Sequence, residues 1–182
     1  MLNSWVVMPT CLPVVLRRCH TCASERFRAN GKFRVNANHK LLDAWLLVLC
    51  TSCGETAKLT VLERTHVRSV RPEFLDRMHD NDPLLAAELL QDPVLRHRNH
   101  IALDWDGAWR LDTGASDHLG GEAVDVSVRF AARIPVRPVR LIAEGFGLSR
   151  AEVERLIAEG RLVSADRLSG RLSGDFTFLF KR

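Results

Sequence analysis

The sequence predicts an α+β chain in three parts: an N-terminal antiparallel β module over 1–64, an α/β middle segment over 65–128, and a C-terminal helix-turn-helix with flanking strands over 129–182. Three observations carry this expectation. Two Cys-x-x-Cys pairs, Cys19/Cys22 and Cys50/Cys53, are joined by strand-like alternation. Proline or a capping residue opens each helical pattern that follows. Charge is also partitioned: residues 17–64 carry nine Lys/Arg against four Asp/Glu, residues 65–128 six against twelve, and residues 129–182 eleven against six. The formal net charge of +4 therefore conceals a basic, acidic, basic order.

At 46% hydrophobic and 26% charged, the 182 residues have a globular composition rather than a disordered one. No run approaches the roughly 18 apolar residues of a spanning helix, so the chain reads as soluble with no membrane association. The apolar start departs from the signal-peptide pattern, because Arg17 and Arg18 follow it instead of preceding it and Pro9 and Pro13 interrupt it. Trp5, Val7 and Pro9 alternate with Val6 and Met8, as in a short edge strand.

The cysteines come next. Two residues between thiolates let one tight turn aim both sulfurs and nearby amides at one ion, and a second such turn completes a tetrahedral site. Between the pairs, Phe27, Lys32–Val35 and Leu41–Leu49 read as strands, with turn signals at Asn30-Gly31 and Asn38-His39. Thr56–Glu63 reads as a strand after the second pair. Knuckle, strands, knuckle, strand is the order of a zinc ribbon, so Cys19, Cys22, Cys50 and Cys53 are the expected ligands of one structural Zn²⁺. Four thiolates leave no open position for catalysis. Two dithiol–disulfide pairs are the competing reading.

A Zn²⁺ held by four thiolates carries a net charge of −2, which Arg17, Arg18, Arg26 and Lys58 are placed to offset. Cys11 is expected to pack as a small hydrophobe. Unpaired and metal-type cysteines favour a reducing cytoplasm. Arg26, Phe27, Arg28, Lys32, Phe33 and Arg34 interleave cations with rings, the combination that tracks phosphates and stacks bases. Alternatively Phe27, Phe33 and Trp45 form the module's core while the charges face water.

In the middle segment, Pro72–Met78, Leu84–Leu90 after Asp82-Pro83, and Val94–Asn99 after Asp92-Pro93 read as helices. Ile101–Trp105, Ala108–Leu111 and Val124–Phe130 read as strands, the first two joined by an Asp106-Gly107 hairpin turn. His79, Asp80, Asn81 and Asp82 read as a cap cluster rather than a metal site, since adjacent residues on a helix end do not converge. His97 and His100 lack an acid or nucleophile partner, and Gly120-Gly121 matches no phosphate-binding loop. Asp112-Thr113-Gly114 has the letters of an aspartic-protease loop without its hydrophobic flanks.

In the C-terminal segment, Pro138–Glu144 starts a short helix that Gly145-Phe146-Gly147 ends. Ser149 caps a second helix, Arg150–Glu159, with Glu152 closing a capping box and Gly160 following it. Val153, Leu156 and Ile157 share one face. Arg161–Ser164 and Phe176–Phe180 read as strands. Arg137, Arg140, Arg150, Arg155, Arg161, Arg167 and Arg171 give this module a cationic face.

The stretch from Arg137 through Glu144-Gly-Phe-Gly to Ser149-Arg150, with Leu156-Ile157 and Gly160-Arg161, resembles the helical half of the RNA-binding domain named after the ribosomal protein S-four. The resemblance implies Arg137, Arg140, Ser149, Arg150 and Arg161 as RNA contacts. Val139 stands where that family has an acidic residue, and Ser164-Ala-Asp166 replaces its Val-Asn-Gly turn.

Nearly the whole chain is also similar to a bacterial domain-of-unknown-function family, numbered 1062. The residues that carry this are Arg18-Cys19-His-Thr-Cys22, Gly31-Lys-Phe-Arg-Val-Asn-Ala-Asn38, Leu42-Asp-Ala-Trp-Leu46, Cys50-Thr-Ser-Cys53, Asn81-Asp-Pro83 and Leu148-Ser-Arg150.

These features point to a nonenzymatic zinc-containing protein that binds nucleic acid, RNA first, through Arg137, Arg140, Ser149, Arg150, Arg155 and Arg161, with Arg28, Lys32 and Arg34 as a second footprint. A protein-interaction adaptor docking through the acidic middle is the alternative reading. An enzyme whose His and Asp residues assemble only in the fold is a third.

Overall fold

In the computed structural model, which describes residues 2–114 and 123–181, the elements in chain order are β1 (Leu2–Pro9), β2 (Val14–Leu16), β3 (Arg26–Asn38), β4 (Leu41–Cys50) and β5 (Thr56–His66). There follow α1 (Pro72–His79), α2 (Pro83–Gln91), α3 (Pro93–Arg98), β6 (Ala102–Asp104), β7 (Trp109–Asp112) and β8 (Ala123–Phe130). The chain closes with α4 (Pro138–Phe146), α5 (Arg150–Ala158), β9 (Leu162–Val163) and β10 (Phe176–Lys181). They form two compact units, one of Leu12–Asp106 and one of Met1–Cys11 with Gly107–Arg182.

The first unit holds an antiparallel sheet in the order β5-β4-β3-β2-β6. Alternation in β4 sorts its two faces. Leu42, Ala44, Leu46, Val48 and Cys50 are buried, whereas Leu41, Asp43, Trp45, Leu47 and Leu49 are half-buried on the other side. The buried face shares one core with Val15, Phe27 and Leu59 and with Met78, Leu85, Ala86, Leu90 and Leu95 from α1–α3. Trp45 is thus excluded from the core that sequence reading gave it: its odd register turns it away from Phe27, and Lys58 Nζ sits 4.9 Å from its ring centroid. Phe33 is partly buried against the core.

Two side-chain amides tie the helices to this sheet. Asn30-Gly31, expected as a hairpin turn, is instead an irregularity inside the thirteen-residue β3, where the register shifts between Ala29 and Phe33. The shift is held locally by Asn30 Oδ1, which accepts from Lys32 N at 3.1 Å, and tertiarily by Asn81 Oδ1, which accepts from Phe33 N at 2.8 Å. Asn99 clamps edge strand β5: its Oδ1 accepts from Thr60 N at 2.6 Å and its Nδ2 donates to Thr60 O at 3.0 Å. Asp82 caps α2 and pairs with Arg77, which also reaches Glu88 at 3.0 Å. The His79–Asp82 segment is accordingly occupied with capping and bracing, as expected.

The second unit holds a mixed sheet in the order β7-β1-β8-β10-β9, with β1 parallel to β8 and the remaining pairs antiparallel. The expected N-terminal edge strand is therefore flanked on both sides. Pro9 is tolerated as its last residue, where a missing N–H costs little. Trp5, Val7, Val126, Val128 and Phe178 of the sheet are buried, as are Leu141, Ile142, Val153 and Leu156 of the helices. Trp5 makes edge contacts with Phe146 at 4.9 Å and Phe178 at 5.5 Å. Gly145, expected at the helix end, lies inside α4, where a Cβ would overlap the Trp5 ring. Gly147 is the C-cap, with φ 65°.

The Asp106-Gly107 turn forms locally, with Asp106 N donating to Asp104 Oδ1 at 2.9 Å and Gly107 at φ 74°. It does not make a hairpin: β6 pairs with β2 and β7 pairs with β1, in different sheets. The acidic middle segment is consequently split between the units. Counted by unit, Leu12–Asp106 carries 14 Lys/Arg against 12 Asp/Glu, and the other unit 12 against 10, so each is close to neutral at +2. Gly120-Gly121 and His118 lie outside the described residues. No helix among the described residues is long and apolar enough to cross a membrane.

Candidate metal centre and cationic groove

Cys19 follows β2, Cys50 ends β4, and Cys22 and Cys53 sit one turn beyond each, at the same end of the sheet because β3 pairs with β4. Both knuckles close alike. Ala23 N donates to Cys19 O at 3.1 Å and Gly54 N to Cys50 O at 3.0 Å, with Ala23 at φ 59° and Gly54 at φ 75°. Four sulfurs result, all within 4.8 Å of one another, with Cys19 Sγ 3.7 Å from Cys53 Sγ and Cys22 Sγ 3.6 Å from Cys50 Sγ. A tetrahedron with metal–sulfur bonds of about 2.3 Å has edges of about 3.8 Å, so the donor set fits a four-coordinate ion. Cys19 and Cys50 are buried and Cys22 and Cys53 exposed, and all four are free thiols.

Backbone amides favour the thiolate form at two of these sulfurs, Cys19 and Cys50. The amides of Cys22 and Thr21 donate to the Cys19 sulfur and hold it below the usual thiol range. Those of Cys53 and Ser52 bring Cys50 down to about 6. Cys53 accepts from the Glu55 amide, but desolvation and the three neighbouring sulfurs outweigh that bond and push it up to about 12. Cys11 is exposed rather than packed, and is not one of the four converging cysteines. Of the cations placed near the sulfurs by sequence, Arg26 pairs with Asp104 at 3.0 Å and Arg17 donates to Lys58 O at 3.2 Å. Among the described residues, the four cysteines are the one group of metal-ligating side chains that converges.

In the second unit, Arg137, Val139 and Arg140 at the start of α4, with Arg150, Glu154 and Ile157 of α5, line a groove of about 730 Å³. Its far wall is the 167–171 loop between β9 and β10, carrying Arg167 and Arg171. That loop is anchored by the Val136–Leu172 bridge, whose two hydrogen bonds are each 2.9 Å. Arg167 Nε donates to Ser169 Oγ at 2.6 Å, and the Arg140 guanidinium lies 5.6 Å from the Trp109 ring centroid.

Of the arginines singled out in sequence, the fold brings Arg137, Arg140 and Arg150 to this groove and leaves others elsewhere. Arg155 and Arg161 each lie 3.8 Å from Glu159, and Arg161 Nε donates to Lys181 O. Ser149 serves the capping box: its Oγ accepts from Glu152 N, and Glu152 Oε2 accepts from Ser149 N at 2.8 Å. Arg28 and Arg34 belong to the other unit, in register with Leu49 and Trp45 on the half-buried sheet face, and Lys32 lies in the β3 irregularity. Arg167 and Arg171 were not among the singled-out contacts. The signal that marks them is a tandem repeat, Arg167-Leu-Ser-Gly170 and Arg171-Leu-Ser-Gly174, which places one guanidinium every four residues along an exposed loop.

His97 and His100 are exposed, with ring centroids 6.3 Å apart. Gly114 N donates to Asp112 Oδ1, which makes Asp112-Thr113-Gly114 an ordinary Asx turn.

The fold and site define a two-unit α+β protein with a four-cysteine cluster suited to a metal ion. The chain belongs to the family described as protein of unknown function (DUF1062), which matches residues 35–168. That span includes Cys50, Cys53 and most of the groove, and begins after Cys19 and Cys22. No curated protein and no solved structure matches the chain.

Proposed function

We propose that this is a nonenzymatic, zinc-containing, RNA-binding protein of the cytoplasm. Cys19, Cys22, Cys50 and Cys53 hold one structural Zn²⁺ in a zinc ribbon, whose knuckles then brace β2–β5 against α1–α3. The ion's role is cohesion: four thiolates saturate it and leave no site for substrate. RNA is bound by the unit that resembles the S-four type of RNA-binding domain. The observation that carries this reading is the convergence of Arg137, Arg140 and Arg150, from two helices, on one groove. Guanidinium groups bind phosphate oxygens in bidentate fashion, and several on one concave surface fix a polyanion where scattered surface cations would not. Arg28 and Arg34 in the other unit supply a second, weaker footprint.

The test is purification from the native host with metal analysis and sequencing of bound RNA, followed by charge reversal. Arg137→Glu, Arg140→Glu and Arg150→Glu together are expected to abolish RNA retention while far-UV circular dichroism and zinc content stay unchanged. Affinity of the unmodified protein should fall with salt, at a log–log slope of roughly −0.7 per single-strand phosphate contacted. RNA binding that is indifferent both to salt and to the triple reversal refutes the reading.

A further inference from the structure

The same groove carries more charge than a length of RNA backbone requires. Five guanidinium groups, from Arg137, Arg140, Arg150, Arg167 and Arg171, face one carboxylate, Glu154. Among the described residues, Arg137, Arg150, Arg167 and Arg171 enter no ion pair, unlike Arg155 and Arg161. The volume of about 730 Å³ lies in the range of sites that hold a single compact ligand. A phosphodiester chain crossing such a space presents one charge per phosphate. A 5′-polyphosphate concentrates several charges within a few ångströms, which is what several guanidinium groups lining one groove match.

Two further features agree. Helix α4 starts at the groove with no side-chain cap, so its positive end faces the anion site. Val139, Ile157 and Leu168 add an apolar strip on which a nucleoside can lie beside its phosphates.

We infer that the groove captures the 5′-polyphosphate end of an RNA, with Arg167 and Arg171 of the loop closing over the phosphates. This rests on the RNA-binding reading above and adds to it the part of the RNA that is recognised. A free nucleoside triphosphate offers the same chemistry, and the test separates the two sources.

One RNA sequence is prepared with a 5′-triphosphate and with a 5′-hydroxyl, and binding is measured by fluorescence anisotropy in the full-length protein, with ATP and inorganic tripolyphosphate as competitors. The expected result is roughly ten-fold tighter binding of the triphosphate end, with Arg167→Gln/Arg171→Gln weakening both RNAs through the lost charge and bringing the ratio of their affinities to about one. Those two positions are exposed, and far-UV circular dichroism confirms that the variant folds. Equal affinity for both ends overturns the inference and leaves RNA binding standing. Tight ATP binding with no binding of either RNA keeps a polyphosphate site, overturns the RNA-end assignment and refutes the RNA-binding reading with it. Binding of none of the four probes overturns both.

Discussion

Gly145→Ala sets a local preference against a tertiary one. Inside a helix, glycine is about 1 kcal/mol worse than alanine, so helix propensity alone makes this substitution stabilising. The packing points the other way. A Cβ at Gly145 would overlap Cη2 and Cζ3 of Trp5 and lie 2.8 Å from its Cζ2. The indole is only 3% exposed and is held from two further sides by Phe146 and Phe178, so it has no empty space into which to swing. Either α4 lifts from β1 or the aromatic cluster is forced off its rotamers. Inserting one methyl into a packed core costs about 1–3 kcal/mol. Overlap with two atoms of a fixed ring puts this case in the upper part of that range, about 2–3 kcal/mol, so with the propensity gain of about 1 kcal/mol subtracted the expected net effect is a destabilisation of about 1–2 kcal/mol.

Urea unfolding of the purified protein, followed by tryptophan fluorescence and far-UV circular dichroism, should place the variant's midpoint lower by about 0.5–1 M at an unchanged slope. The double variant Trp5→Phe/Gly145→Ala should be less destabilised than the two single changes summed, because a smaller ring vacates the contested volume. A Gly145→Ala protein as stable as the original, or more so, refutes the argument and returns Gly145 to the role of a helix-end residue.

Cys22→Ala should lower metal content from one ion per chain to a small fraction of that and bring early melting of the Leu12–Asp106 unit, whereas Cys11→Ala, at an exposed thiol outside the cluster, should change neither; metal analysis with differential scanning calorimetry reads both. Asn99→Ala removes both hydrogen bonds to Thr60 and the one to Leu95 O at 2.9 Å, so it should cost about 1–3 kcal/mol and accelerate hydrogen exchange of the Thr60 amide ahead of other β5 amides. The Ser149 amide and hydroxyl hold the Glu152 carboxyl below its ordinary range, so the capping box stabilises α5 fully above the unfolded carboxylate value and loses that contribution as pH falls through the lowered folded one. Between neutral pH and about pH 3, the original protein should therefore lose more stability than Glu152→Ala does, as measured by urea midpoints across that window.

The features legible in the sequence are those set within a few residues of each other. The knuckles, the proline starts of α1–α4, the Ser149–Glu152 box and the Gly147 cap region all rest on local sterics and on hydrogen bonds between near neighbours, so spacing and residue type suffice to place them. The cysteine cluster belongs here in part: each pair is local, and the β3–β4 pairing that brings the pairs together follows from the Asn38-His39 turn. Charge reading succeeded less well. The basic, acidic, basic order along the chain dissolves once residues 65–106 fall in the unit of the cysteines and residues 107–114 and 123–128 in that of the C-terminal helices, because Coulombic environment depends on distance in space, not along the chain.

Partnership between distant segments was decided only by the tertiary structure. Asp106-Gly107 has hairpin chemistry, yet the strands on either side find partners some ninety to a hundred residues away, since a turn directs the chain locally and burial selects what it pairs with. Asn30-Gly31 became a strand irregularity because Asn81, far along the chain, supplies the acceptor that Phe33 N lacks in the ladder. Arg167 and Arg171 joined Arg137, Arg140 and Arg150 because the Val136–Leu172 bridge holds their loop against α4 and α5. The sequence by itself determined which cysteine turns and which capped helices this protein has. Which arginines share a groove, and which glycine must stay bare beneath a tryptophan, are consequences of long-range packing that no local pattern encodes.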